Sequence, residues 1–265
     1  MSQFGFCALS IMPVRAEASE RSEMVNQLLF GELYHVIDEF DGWVVVRSSH
    51  DNYEGFIDRK QWLRISEKEY KHLHAAKRVF PKELVAKVTE TTYKNTFNIL
   101  FGSSLPGYAE GAIRVGDREY QYDGEFTIPD KNKNRTELVS TAKKYMGAPY
   151  LWGGRSPFGI DCSGFMQVVF NIHGISINRD ASYQARQGRT LNLVSEAMPG
   201  DLAFFDNDEG QITHVGMFIE DEKIIHASGH VRIDKIDHQG IFNEESGKYT
   251  HKLRLIKKVV EGDNA

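Results

Sequence analysis

The sequence predicts a multidomain chain: two small all-β units followed by an α+β domain. Three observations carry that prediction. The first 130 residues hold short strand-forming runs broken by Gly and polar turns. A polar, charged segment, Lys131-Asn132-Lys133-Asn134-Arg135, then interrupts the chain. Beyond it helical periodicity comes first and a series of strands follows, which is the order of an α+β domain.

The elements can be justified in turn. Phe4 to Val14 is fairly apolar, and Ala16-Glu17-Ala18 has the small-x-small form of a cleavage site. No Lys or Arg precedes the apolar stretch, whereas a secretory signal carries its positive charge there. The stretch is therefore read as the first strand of the fold and the protein as cytoplasmic. If residues 4–18 act as a signal instead, the same protein works in the periplasm or cell envelope. Trp43-Val44-Val45-Val46-Arg47 and Tyr53-Glu54-Gly55-Phe56-Ile57 are strand formers around a polar turn, a hairpin. Residues 1–66 make the first β unit, and Ser66 to Arg78 is a charged, helix-compatible connector. Residues 79–130 make the second β unit, with strands at Leu84–Thr89 and Tyr120–Tyr122. In the third region, 134–260, Leu138, Val139, Ala142, Tyr145 and Met146 recur at helical spacing up to Gly147. Phe165, Val168, Val169 and Ile172 mark a second helix that stops at Gly174. Strands are expected at 201–206, 212–219, 223–228 and 253–260.

Composition excludes some function classes. A chain of 265 residues with 41% hydrophobic and 26% charged residues is of globular type. Its 32 Lys and Arg against 37 Asp and Glu give a net charge of −5, with no long basic block. Nucleic-acid binding through phosphate neutralisation is not expected. No apolar run reaches the length of a membrane span, so no membrane partner is expected either. The two cysteines, Cys7 and Cys162, form no disulfide framework and no CxxC zinc pattern. Cys7 is read as a small residue without chemistry.

Cys162 stands at the expected start of a helix, in Gly159-Ile160-Asp161-Cys162-Ser163-Gly164-Phe165. The partial positive charge and free N–H groups of a helix N-terminus favour a thiolate and can stabilise an oxyanion. A buried structural cysteine is the competing reading. His214 and His226 lie on either side of a plausible turn, Glu220-Asp221-Glu222. Alternation puts both on one face of a hairpin. Pairing about residue 220 sets them directly opposite, and pairing about 221 makes them diagonal neighbours. A base held by a second polar group is what nucleophilic cysteine chemistry requires. The other eight histidines (His35, His50, His72, His74, His173, His230, His238, His251) are read as exposed or satisfied. A zinc site of Cys162, His214 and His226 lacks a fourth ligand and matches no compact ligand spacing, so no metal or other cofactor is expected.

Here the sequence resembles a known family. Gly147-Ala148-Pro149-Tyr150-Leu151-Trp152-Gly153-Gly154-Arg155, then Asp161-Cys162-Ser163-Gly164-Phe165, His214-Val215-Gly216 and His226 look like the NlpC/P60 cell-wall cysteine peptidases. Pro199-Gly200-Asp201-Leu202 fits that family's turn into its first central strand. The resemblance implies a papain-like α+β fold, Cys162 as nucleophile, His214 as base, His226 as the group orienting it, and Tyr150 beside the oxyanion site. Pro13-Val14-Arg15, Ser22 to Gln27, Phe30-Gly31-Glu32, Gly42-Trp43 and Tyr53-Glu54-Gly55 resemble a bacterial SH3-like domain. Residues 79–130 match a second such domain poorly. SH3-like domains ahead of this catalytic module are similar to the γ-D-glutamyl-L-diamino acid endopeptidases of the family. That likeness implies hydrolysis of the γ-D-Glu–diamino acid bond in murein peptides bearing a free N-terminal L-Ala, in murein peptide recycling. It implies amine recognition by Asp161, Ser163, Glu23 and Tyr53, with Trp152 and Ser182 as further substrate-binding candidates. Each has a bland alternative: Asp161 as a helix cap, Glu23 and Tyr53 as ordinary β-unit residues, Trp152 as packing. Two rival functions are lysis of intact peptidoglycan and a non-catalytic peptide-binding module.

Overall fold

The computed structural model describes residues 3–130 and 135–260. The polar segment expected at the domain boundary lies outside these residues, apart from Arg135. The chain forms two compact units. The first runs to Pro129 and takes in Trp152–Pro157; the second comprises Asp130–Leu151 and Phe158 onward.

The first unit opens with β1 (Gln3–Phe6), β2 (Ile11–Arg15), β3 (Met24–Leu29), β4 (Leu33–Phe40), β5 (Trp43–Ser48), β6 (Glu54–Asp58) and β7 (Leu63–Ile65). They form one antiparallel sheet in the order β3-β2-β6-β5-β4-β1-β7. The single strand expected over Phe4–Val14 is thus two strands. The chain leaves the sheet between them, where Cys7 N bonds to Glu32 O and Gly31 N to Cys7 O. Alternating inward residues of this sheet, among them Met12, Val14, Val44, Val46 and Ile57, enclose Cys7 and Tyr34 in one core. The charged connector contains α1 (Glu67–Ala75), with Ser66 as its N-cap.

Residues 79–130 fold into two small sheets. One has the order β10-β9-β13-β12, from β9 (Val85–Glu90), β10 (Asn95–Leu100), β12 (Ala112–Val115) and β13 (Arg118–Gln121). The other sets β8 (Arg78–Pro81) between β11 (Leu105–Pro106) and β14 (Phe126–Thr127). Val88, Ile99 and Tyr120 from this region share a core with Phe4, Phe6 and Phe30 of the first sheet and with Leu73 of α1. The expected second β unit therefore has a core continuous with that of the first.

The Trp152–Pro157 segment, which carries β15 (Arg155–Ser156), is tied to β3. Arg155 N donates to Gln27 Oε1 at 2.8 Å, and its guanidinium grips the Glu32 carboxylate at 2.7 and 2.8 Å. Gly153 has φ +75°, and a Cβ there would stand 2.3 Å from Met24 O. Only glycine permits that backbone conformation together with that approach.

The second unit packs helices on a seven-stranded antiparallel sheet. Its elements are α2 (Arg135–Lys143), β16 (Gly159–Ile160), α3 (Cys162–Ile172), α4 (Ala181–Gln184), β17 (Arg189–Leu191), β18 (Leu202–Asp206), β19 (Ile212–Glu220), β20 (Lys223–Ser228), β21 (His230–Ile236), β22 (Gly240–Asn243) and β23 (Lys248–Lys258). The large sheet has the order β17-β23-β18-β19-β20-β21-β22. The expected α2 helix ends three residues early, at Lys143, where a turn carries the chain to Gly147 at φ +79°. Three strands of this sheet, β17, β21 and β22, were not foreseen, and β23 begins at Lys248 rather than Leu253. Of these, β21 and the longer β23 bear on the site, through Asp234 and His251.

Candidate active site

Cys162 is the first residue of α3, and α3 is apolar on nearly every side because it is buried, with Phe165, Val168, Val169 and Ile172 all covered. Asp161 caps the helix by accepting from Gly164 N at 2.7 Å. The backbone N–H groups of Val215 and Ser163 are directed at the Cys162 sulfur. Val215 follows His214 on β19, so the same strand that presents the imidazole also donates to the thiol. Burial first, and the Asp161 carboxylate second, push the thiol up to about 12.

His214 Nε2 is 2.9 Å from His226 Nδ1, and His226 Nε2 is 2.9 Å from Asp234 Oδ2. Gly216 pairs with His226 across β19 and β20, which is pairing about residue 221 and makes the two histidines diagonal neighbours. On β21, Arg232 is the partner of His226. Asp234 is two residues further along the same face, and Arg232 grips its carboxylate at 2.7 and 2.9 Å. Burial would raise Asp234, but the hydrogen bonds from His226 and Arg232 outweigh it and hold the carboxyl below its usual range. Burial, then the rings of His226 and His251, hold His214 well below an ordinary histidine. The outcome is a row of hydrogen-bonded groups, His214, His226, Asp234, in which the base rests neutral, on the strand whose next residue, Val215, donates to the Cys162 sulfur.

His251, read from sequence as a bland histidine, belongs here. Its ring stacks on His214 with centroids 4.2 Å apart and planes 27° apart. Burial and His226 bring it down to about 4. His214, His226 and His251 place ligand-type nitrogens within 4.8 Å of one another. His226 has both ring nitrogens engaged, Nδ1 with His214 and Nε2 with Asp234. That arrangement suits a proton relay better than a tetrahedral ion.

Tyr150 lies half-buried within electrostatic reach of the thiol. Burial, then Cys162 and Asp161, raise its hydroxyl to about 12, so it is a donor at neutral pH. Asp161 and Ser163 flank the cysteine as expected, but Arg179 has engaged both. Its guanidinium bonds Asp161 at 3.0 and 2.5 Å and Ser163 Oγ at 3.0 Å, all of them buried. The Asp161 carboxylate both caps the helix and pairs with Arg179. Gln184 of α4 braces the same turn, donating to Ser163 O at 2.9 Å. Ser182, on α4, is exposed. Glu23, Tyr53 and Trp152 lie in the first unit. There the Trp152 indole N–H donates to Glu23 Oε1 at 2.5 Å, so two of the three candidates meet. Tyr53, partly buried, has its backbone N–H on Asp51 Oδ1.

Sequence reasoning missed Asp234, Arg232 and His251. The alternation His230–Ile236 directly after Ser228 was the available signal for the first two. Nothing local marks His251, which arrives from the last strand.

A cysteine at a helix N-terminus facing a histidine relay on an antiparallel sheet defines a cysteine peptidase. Comparison with known proteins agrees. The model of the NlpC/P60 family matches residues 147–248, and the bacterial dipeptidyl-peptidase SH3 domain matches 14–61. A γ-D-glutamyl-L-lysine dipeptidyl-peptidase of Bacillus cereus is 31% identical over 254 residues, 85% of this chain and 74% of the relative. Its namesake in Bacillus subtilis is 31% identical over 217 residues, 76% of this chain and 71% of the relative. A solved NlpC/P60 family protein from Bacillus cereus shares the fold, with TM-score 0.80 over 97% of this chain and 99% of the other at 22% identity. The chain belongs to the NlpC/P60 family of cysteine peptidases, with an SH3-like domain ahead of the catalytic one.

Proposed function

We propose that this enzyme hydrolyses the γ-D-Glu–diamino acid bond of murein peptides that carry a free N-terminal L-Ala, in murein peptide turnover. The single observation that carries the catalytic part is His214, bonded to His226 at 2.9 Å, on the strand whose next residue, Val215, donates its N–H to the Cys162 sulfur. The substrate part is supported by the names of the Bacillus relatives, γ-D-glutamyl-L-lysine dipeptidyl-peptidases.

In this reading His214 takes the thiol proton through Nδ1 as Cys162 Sγ attacks the γ-D-Glu carbonyl carbon. Nε2 is the nitrogen already bonded to His226, which keeps the ring oriented. The carbonyl oxygen becomes an oxyanion, met by the Tyr150 hydroxyl and the N–H groups at the start of α3. The C–N bond breaks, His214 returns its proton to the departing amine, and a thioester remains. Water deprotonated by His214 then cleaves the thioester and restores the thiol. His226 and Asp234 stabilise the imidazolium formed in each half. Asp161 and Ser163 beside the nucleophile, together with Glu23 and Tyr53, are the residues assigned to the substrate amine, with Arg179 sharing the Asp161 carboxylate.

The test is mass spectrometry of products from L-Ala-γ-D-Glu-L-Lys, its diaminopimelate counterpart and the N-acetylated form of each. Release of L-Ala-γ-D-Glu from the free peptides alone is expected. Equal cleavage of the acetylated forms removes the amine pocket from this reading. Cleavage of intact sacculi with no action on tripeptides replaces it with a lytic hydrolase. Cys162→Ala and His214→Ala should each abolish cleavage, and turnover at the wild-type rate in Cys162→Ala would overturn the mechanism.

A further inference from the structure

Three rings enclose the His214 imidazole. Phe205, its partner on β18, has its centroid 5.7 Å away, His226 on β20 lies at 5.1 Å, and His251 on β23 lies at 4.2 Å. Phe205 is tilted and His226 meets His214 at 84°, so neither lies parallel to the imidazole. His251 alone is stacked, with 27° between planes. The hydrogen bond to His226 Nδ1 fixes one point of the His214 ring, its Nε2. Nε2 lies nearer the Cβ–Cγ axis than Nδ1 does, so a bond at Nε2 limits rotation about Cβ–Cγ, which would swing Nδ1, only loosely. A flat partner on one face blocks that rotation. His251 is itself held, with Nδ1 2.9 Å from the Thr250 hydroxyl and its ring 5.9 Å from Phe205.

We propose that His251 is a positioning residue of the catalytic site, which stacks on the His214 imidazole and holds its free nitrogen toward Cys162. The proposal rests on His214 acting as the base, as described above. His251 needs to be flat and neutral for this role; it does not take or give a proton in the reaction. The groups facing His214 that carry titratable protons are Cys162 from α3, His226 from β20, with Asp234 of β21 behind it, and His251 itself from β23. A second ring nearby also keeps water off the imidazole. Removing it should let His214 hold a proton at higher pH.

The test compares His251→Ala with His251→Phe in the full-length enzyme, with thermal melts to confirm folding. A stacked aromatic pair is worth enough to expect a fall in kcat of roughly 2- to 12-fold in His251→Ala, with KM unchanged. The acidic limb of kcat against pH should move upward in His251→Ala. His251→Phe, which keeps the stack without a titrating group, should restore both. An NMR titration of the His214 ring in the same variants reads the effect without turnover. An upward shift in Ala and none in Phe is expected. Wild-type kcat and pH profile in His251→Ala would overturn the proposal, and so would a Phe variant as impaired as Ala. If the NMR shifts appear while no variant or wild type cleaves the murein peptides, the substrate reading fails and the positioning role stands.

Discussion

Gly216 stands directly across from His226 in the β19–β20 pair, and a Cβ on Gly216 would lie 2.9 Å from the His226 Cβ and 2.8 Å from Ile224 Cδ1. The glycine is an absence of side chain that lets the relay histidine sit flat against the neighbouring strand. Gly216→Ala should force the two strands apart at this point. We expect a loss of about 1–3 kcal/mol in stability from overpacking, read by urea denaturation. A fall in kcat/KM larger than in a control substitution, Glu209→Ala, at an exposed residue of the β18–β19 turn, should accompany it.

Asp234→Asn tests whether the relay extends beyond the two histidines. Asn offers one acceptor to His226 Nε2 but gives up the ion pair with Arg232. The expected result is a lower kcat with folding retained, within the roughly 10²–10⁴-fold that a general base contributes. Unchanged kcat would end the relay at His226.

Arg179 and Asp161 form a buried ion pair, with side chains 2% and 7% exposed. Arg179→Met leaves the Asp161 carboxylate without its cation and should cost about 3–5 kcal/mol in denaturant unfolding. Adding Asp161→Asn should recover part of that loss. A double mutant as unstable as the single one would show that the pair is not coupled.

Stability should fall on both sides of neutrality. His50 is held below its ordinary value of 6.5 by burial, so as pH drops through 6.5 the unfolded chain takes up a proton that the fold refuses. Cys7 is raised by burial from 9.0 to about 12, so above pH 9 the unfolded chain releases a proton that the fold retains. Each group contributes a slope of up to about 1.4 kcal/mol per pH unit on its own side. Urea midpoints measured from pH 5 to 10 should therefore plateau near pH 7–8.5, as those two limits require. Cys7→Ala should flatten part of the alkaline decline and leave the acidic one.

Much of the site was legible because its signals are local. Cys162 follows a helix-capping Asp and precedes an apolar 3.6-residue stripe, and His214 and His226 flank a turn, so a few residues of sequence specify each environment. The Asp161 carboxylate was legible in place but not in state: Arg179 lies 18 residues away, and sequence gives no distance between them. The same holds for the second β region, where strand patterns at Leu84–Thr89 and Tyr120–Tyr122 could be read. Its sharing of a core with Phe4, Phe6 and Phe30 could not, because side chains far apart in sequence meet only after the sheets pack.

By itself, then, the sequence determined the strand and helix periods, the nucleophile at its helix terminus, and the hairpin that carries two histidines. These follow from backbone geometry repeating every two or 3.6 residues. The choice of register between His214 and His226, the Arg232–Asp234 pair behind them, and the His251 ring over the base were decided only by tertiary structure. Those relations join β19 to β20, β21 and β23, and a sheet's lateral order is set by which apolar faces bury best together, a property of the whole core rather than of any one segment.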